Sequence, residues 1–97
     1  MSATVSLSCS QIQFDCLAAK LKADPADIKE FTLNESTVPG AGALGNFVTK
    51  DVTVVFSFTA PTIALTVSEK HSLKARMAPD GVLISHLTDY FNKYSKG

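Results

Sequence analysis

The segment 49–59 constrains the fold of this 97-residue chain more strongly than any other. Large apolar residues occupy every second position there, at Val52, Val54, Phe56 and Phe58. A period of two places one set of side chains on each face of a β-strand. Pro61 follows the segment, and proline cannot donate a hydrogen bond to a neighbouring strand. The segment therefore predicts a strand with one covered face that ends near Pro61.

Three further segments show the same alternation, namely 62–68, 72–78 and 4–10. With 49–59 they predict a three-stranded antiparallel meander and a fourth strand near the N-terminus. Ile12 and Phe14 fall on the opposite phase from the apolar residues of 4–10. Either a bulge near Ser10-Gln11 shifts the alternation, or the strand ends there.

Three helices are predicted around these strands. Asp15 is a candidate cap for a helix that runs to about residue 23. A second, short helix is predicted after Asp24-Pro25, with Ile28 and Phe31 as its buried pair. The third begins after Pro79-Asp80-Gly81 and extends to about Tyr94, since an apolar stripe recurs there at helical spacing. The predicted order of elements is β-α-α-β-β-β-α.

One-sided strands and separated helices predict an α+β two-layer sandwich. Its sheet is about four-stranded and mainly antiparallel, with the helices on one face. The chain 1–97 is expected to form a single small domain, in which 32–47 is a long flexible loop containing Gly and Ala. The loop includes Gly40-Ala41-Gly42-Ala43-Leu44-Gly45, which matches G-x-G-x-x-G. We expect no dinucleotide site, because the flanking strand and helix are missing, and we expect Gly42→Ala to be close to neutral.

Composition limits the classes of partner. Nine basic residues balance nine acidic ones, which disfavours nucleic acid, although helix, three strands and helix is also the order in double-stranded-RNA-binding domains. The lysines that such domains carry at the start of the final helix are missing from Pro79 to Ile84. Without a signal peptide or an apolar run of about 20 residues, we expect a soluble, cytoplasmic chain with no membrane association. Cys9 and Cys16 are expected to be free thiols, and no metal or other cofactor is predicted.

The sequence favours a non-catalytic role. No nucleophile has an identifiable activator, because neither G-x-S-x-G nor H-E-x-x-H occurs. His86 and Asp89 lie three residues apart on the predicted third helix, and His71 falls beside a predicted strand. The alternative is therefore a small enzyme or metal-dependent hydrolase that uses His71, His86 and Asp89, or a subunit of a larger assembly.

A surface pattern provides the functional prediction. Ser and Thr dominate the predicted non-core faces of the strands. If the predicted strand 72–78 extends back to Lys70, alternation places Lys70, Lys74 and Arg76 on one face. Residues 1–69 hold four basic and seven acidic side chains, net −3, whereas 70–97 hold five and two, net +3. We expect a binding domain whose partner is a protein attracted to Lys70, Lys74 and Arg76. The chain itself is expected to be a monomer or a weak homo-oligomer.

Overall fold

The computed structural model describes residues 3–35 and 42–96, which form five strands and three helices. The strands are β1 (Thr4–Ser8), β2 (Glu30–Glu35), β3 (Ala43–Val48), β4 (Val52–Thr59) and β5 (Thr62–Lys70). The helices are α1 (Gln11–Lys22), α2 (Leu73–Met77) and α3 (Asp80–Ser95). None of these helices is long and apolar enough to cross a bilayer.

The five strands form one antiparallel sheet in the order β1-β5-β4-β3-β2. Strands β2 to β5 follow one another as a meander, and β1 pairs with the far side of β5. The alternating large apolar residues of β4 and β5 point to the face covered by the helices, where they are buried: Val52, Val54, Phe56, Phe58, Ile63, Leu65 and Val67. The α+β class and the antiparallel sheet are thus confirmed, but the sheet has five strands instead of about four.

Two predicted elements have the wrong secondary structure. Residues 25–27 form a turn, and the chain then enters β2, so the short helix with Ile28 and Phe31 as its buried pair does not form. The three-residue spacing of Ile28 and Phe31 is typical of a helix face, but Phe31 belongs to β2, where it alternates with Thr32 and Leu33. Conversely, the predicted strand 72–78 is α2. The observed order is therefore β-α-β-β-β-β-α-α.

Strands β2 and β3 both extend into the segment 32–47, for which the sequence predicted a loop. Residues 36–41, including Gly40 and Ala41 of the glycine motif, lie outside the described residues, and the flexibility of this segment stays a prediction. Gly45 lies in β3 opposite Phe56. A Cβ atom at Gly45 would meet the Phe56 ring and the carbonyl oxygen of Thr32. This glycine is required for close packing within the sheet.

The end of β1 is set by the start of α1. Ser10 is the N-cap: its side chain accepts a hydrogen bond from the Gln13 amide at 3.1 Å, and the Gln13 side chain accepts one from the Ser10 amide at 2.9 Å. This reciprocal capping box stabilises the first turn of a helix. Of the two alternatives at Ser10-Gln11, the strand end is the one observed. Asp15 lies within α1 and does not cap it.

An aromatic cluster lies between the sheet and α1. The Phe14 ring stacks on Phe58 with the centroids 4.2 Å apart, and it lies 6.0 Å from Phe56. Phe56 in turn neighbours Phe31 at 6.1 Å and Phe47 at 6.4 Å. Phe56 is only 1% exposed, and its ring on β4 joins α1 to β2 and β3. Aromatic side chains of this size contribute much of the apolar area that is buried in a core.

The C-terminal end of α3 is held by a hydrogen bond to the turn after α1. The Tyr94 hydroxyl donates to Asp24 Oδ2 at 2.7 Å, and Tyr94 is buried. Burial and the neighbouring Asp24 carboxylate raise the pKa of Tyr94 far above its ordinary value. Lys93 makes an exposed ion pair with Asp27 at 3.5 Å. These contacts attach α3 to the turn that precedes β2.

Candidate partner-binding site

Helix α2 is short, and two features determine its position. The Ser72 side chain accepts a hydrogen bond from the Ala75 amide at 3.0 Å, which caps the first turn. Ala75 is the buried residue of the helix and packs into the core beneath it. With a single small side chain inside, α2 presents its other side chains to solvent.

The outer surface of α2 combines apolar and basic groups. Leu73 is 71% exposed and Met77 is 75% exposed, and residues four apart lie on the same side of a helix. Lys74 and Arg76 are exposed beside them. Large apolar side chains next to cations are a combination found at protein contact surfaces. We call Lys70, Leu73, Lys74, Arg76 and Met77 the α2 surface.

The three predicted binding residues are placed differently from the strand prediction. Lys70 ends β5, whereas Lys74 and Arg76 lie on α2, where residues two apart do not share a face. Arg76 Nε donates a hydrogen bond to the Lys70 carbonyl oxygen at 3.4 Å, which brings these two residues together. Lys74 instead lines a cavity between α2 and α3, which is described next. Two of the three cations therefore lie on α2 and the third lies at the end of β5, so they do not form a row on one strand.

A cavity of about 60 Å³ lies between α2, α3 and the adjoining ends of β4 and β5. Apolar side chains form most of its wall, and Asp51, Lys74 and His86 provide its ionisable groups. Its lining residues are Asp51, Val52, Val67, Lys74, Ala75, Ala78, Val82, Leu83, His86, Leu87 and Tyr90. Val82 is 43% exposed, so apolar surface continues from the cavity to solvent. The arrangement suits an apolar group presented by a partner.

The two histidines of the enzyme alternative do not line this cavity together. His86 is one of its lining residues, but His71 is not, and Asp89 is exposed on α3. His71 Nε2 lies 2.6 Å from Thr53 Oγ1. Thr53 falls between the inward-facing Val52 and Val54 of β4, so its side chain is on the other face of the sheet. The structure thus brings His71 to Thr53 and leaves it apart from the cavity. The enzyme alternative stays a prediction.

Metal-ligating side chains are scattered in the part of the chain that the structure describes. Within residues 3–35 and 42–96, no three His, Cys, Asp or Glu side chains are grouped so that they could hold a metal ion. Cys9 and Cys16 are both free; burial raises the pKa of the Cys9 thiol, which makes its reactive thiolate scarcer. Cys16 Sγ donates to the Lys96 carbonyl oxygen at 3.3 Å.

The face of the sheet opposite the helices is rich in Ser and Thr on β1, β4 and β5, as predicted, while β3 adds the exposed Leu44 and the predicted member Ser72 belongs to the cap of α2. On the strands β1, β5 and β4, the exposed residues of this face are Thr4, Ser6, Ser8, Thr62, Ser68, Ser57, Thr59 and one apolar residue, Val55. The cross-strand pair Thr4 and Thr66 is joined by a hydrogen bond of 3.1 Å between the two hydroxyls. An antiparallel sheet with one polar face in water is a common arrangement.

Sequence reasoning missed the exposure of Leu73 and Met77, which it assigned to the buried face of a strand. A local signal was present: Ser72 precedes Leu73, Lys74, Ala75, Arg76 and Met77, which are all good helix formers without β-branching. The cavity had no comparable signal, because its walls come from four elements.

No protein-family model, no curated protein and no solved structure matches the chain at a significant level.

Proposed function

We propose that this chain is a non-catalytic binding domain whose partner is an acidic protein segment carrying an exposed apolar side chain. The observation that carries the proposal is the α2 surface, where Leu73 and Met77 are exposed among three cations. The apolar pair would contact the partner's apolar side chain, and the cations would attract its carboxylates. Charge of this kind contributes mainly to association rate and specificity.

The size of the cavity favours a side chain over a free small molecule. Pockets that bind drug-sized ligands or cofactors occupy about 300–1,000 Å³. The cavity beside α2 is about 60 Å³, far below that range. A partner that rests on the α2 surface needs room for only one apolar group in the cavity beside it. This comparison supports a macromolecular partner.

The number of cations favours protein over lipid. Basic segments that bind anionic membranes carry about 4–8 Lys or Arg residues in a cluster. The α2 surface has three such residues. Asp51 lies in the wall of the neighbouring cavity, and Asp80 follows Met77 by three residues in the chain. The mixed charge weakens attraction to a uniformly anionic membrane. It remains compatible with a partner of defined shape.

The test uses a labelled peptide with one leucine between glutamates, and a second peptide with serine in place of the leucine. NMR titration of the full chain should shift the amides of Leu73, Met77 and Val82, and the leucine peptide should bind more tightly than the serine peptide. Raising the salt should slow association, because charges separated by more than about 10 Å are screened at 0.1 M. Shifts confined to the open sheet face, or no binding at about 1 mM peptide, would overturn the proposal.

A matched pair of variants distinguishes an effect of charge at the α2 surface from an effect of the net charge of the chain. Lys74→Glu with Arg76→Glu should reduce the association rate by about tenfold. Lys22→Glu with Lys29→Glu changes the net charge equally, at exposed positions distant along the chain, and should have a much smaller effect. Equal loss in both variants would contradict a site at α2. Binding to anionic lipid vesicles without binding to the peptide would identify a membrane as the ligand and also contradict the proposal.

A further inference from the structure

Strand β1 is an edge of the sheet whose backbone alternates between bonded and outward-facing residues. The amide of Val67 donates to the Ala3 carbonyl at 2.9 Å, and the amide of Cys9 donates to the Pro61 carbonyl at 2.8 Å. In an antiparallel pair, the residues that exchange such bonds occur at every second position. Ala3, Val5, Leu7 and Cys9 therefore face β5 with their amides and carbonyls. Thr4, Ser6 and Ser8 direct theirs away from the sheet.

The β1 edge lacks the usual protection against pairing. Natural edge strands are commonly blocked by charged residues, proline, bulges or a covering segment. From Ala3 to Ser8 the sequence contains neither a charge nor a proline, and its pairing with β5 is regular. None of the described residues forms a hydrogen bond with the backbone of Thr4, Ser6 or Ser8 across this edge. The opposite edge strand, β2, begins instead with the exposed Glu30.

We propose that the β1 edge pairs with the β1 edge of a second copy of this chain. A two-fold axis at Ser6 would place Ser6 opposite Ser6, and Thr4 of each copy opposite Ser8 of the other. These three outward-facing residues would then exchange about six backbone hydrogen bonds. The two sheets would become one continuous ten-stranded antiparallel sheet. No other symmetric register pairs all three outward-facing residues of β1.

The side chains on the inner face of β1 fit the same register. Val5 and Leu7 are half-buried: each has a neighbour on β5, and no described strand lies on the other side. In the proposed pairing, Val5 of one copy lies opposite Leu7 of the other. Directly opposed side chains on an antiparallel pair have Cβ atoms about 5 Å apart. Each copy would thus cover the apolar surface that the other leaves exposed.

The length of the strand sets the strength of the contact. Five residues of β1 span about 17 Å. A contact of this length buries less than the roughly 800 Å² per partner of a standard stable interface. We therefore expect a weak dimer that dissociates on dilution. The contact lies on β1 and is independent of the α2 surface, so neither proposal depends on the other.

Sedimentation of the full chain over about 10 μM to 1 mM provides the first test. The wild-type chain should shift from monomer to dimer over this range. Ser6→Lys should keep it monomeric, since two lysines would meet at the axis. Two controls place the same charge elsewhere: Ser57→Lys on the open face of central strand β4, and Thr32→Lys on edge strand β2, both at exposed positions. Both controls should dimerise like the wild type.

The proposal would be overturned by a wild-type chain that stays monomeric, by a folded Ser6→Lys variant that still dimerises, or by loss of the dimer with Ser57→Lys or Thr32→Lys. Circular dichroism shows whether Ser6→Lys folds. A measurement on the wild type decides the question even if that variant does not fold. Amide hydrogen exchange of Thr4, Ser6 and Ser8 should slow as concentration rises, while the exchange of Val5 and Leu7 stays slow throughout. Dimers in which these three amides do not slow would also contradict the pairing.

Discussion

Gly42 has a backbone that only glycine adopts without strain. Its φ is +80°, and a Cβ atom there would meet the carbonyl oxygen of Phe58. The expectation of a neutral Gly42→Ala substitution overlooked both facts, because the sequence does not show φ. We predict that Gly42→Ala lowers the free energy of unfolding by about 1–3 kcal/mol in urea denaturation. Gly81→Ala is the control: its Cβ meets nothing within 4 Å and the residue is helical, so that variant should gain up to about 1 kcal/mol. Equal effects at the two sites would contradict the prediction.

Phe56 is the residue on which the core depends most directly. Its ring neighbours three other phenylalanines and is 1% exposed. We predict that Phe56→Ala lowers the free energy of unfolding by about 3–5 kcal/mol, because the cavity left by the ring cannot close fully. Val55→Ala on the same strand is the control, since Val55 is 41% exposed on the opposite face and its loss should cost far less. A change below about 1 kcal/mol at Phe56 would show that the ring is not a core element.

At the scale of single elements, the sequence predicted those with long regular patterns. The alternation of β1, β4 and β5 and the apolar stripe of α3 each repeat often enough to identify one structure. Helix α2 and strand β2 were missed because each is short and its pattern suits two structures. Leu73, Ala75 and Met77 alternate as in a strand, yet the Ser72 cap and the local propensities produce a helix. Phe31 and Ile28 have helical spacing, yet pairing with β3 produces a strand.

The attachment of α3 to the turn after α1 predicts a pH effect on stability. The folded chain holds the Tyr94 proton more tightly than the unfolded chain does, because burial and Asp24 raise its pKa. This contribution is complete below the unfolded pKa of about 10 and decreases as the pH rises above that value. Tyr94→Phe should lower the free energy of unfolding by about 1 kcal/mol at pH 7 and flatten its decrease above pH 10.

Tyr90→Phe is the control for this effect. Tyr90 stacks near Tyr94, but the described residues provide no hydrogen bond to its hydroxyl. Tyr90→Phe keeps Tyr94 and its hydrogen bond, so its stability should decrease above pH 10 as in the wild type. In Tyr94→Phe a smaller part of the alkaline decrease should remain, because burial also raises the pKa of Cys9. If thermal unfolding of Tyr94→Phe follows the wild-type pH curve up to pH 11, the hydrogen bond to Asp24 does not contribute to stability.

At the scale of the whole molecule, the candidate site shows why prediction from sequence stops where it does. Lys70, Lys74 and Arg76 were predicted to share one strand face; they lie within seven residues of the chain, so they stay near one another although Lys74 and Arg76 are on α2. The cavity joins Asp51 and Val52 to α3, about 30 residues later, through the packing of the helices on the sheet. Such a contact depends on the tertiary arrangement and has no local pattern.

Stability should be distributed unevenly over the molecule. Strand β4 is paired on both sides and its inward-facing residues are buried, whereas α2 has five residues and Ala75 as its buried side chain. We predict that α2 amides exchange hydrogen through local opening, at least about tenfold faster than those of Val54 and Phe56. Native-state exchange by NMR measures both. Equal protection in α2 and β4 would show that α2 opens only when the entire sheet unfolds.

The pairing of β1 with β5 also has a consequence for synthesis. Thr4 meets Thr66, 62 residues later in the chain. A ribosome that adds about 5–20 residues per second needs roughly 3–12 seconds to reach that partner. During this interval β1 has been made but β5 has not, so β1 joins the sheet only after the strands that follow it in the chain have been made. Ribosomes that follow one another along a single message would then hold several unpaired β1 strands near each other.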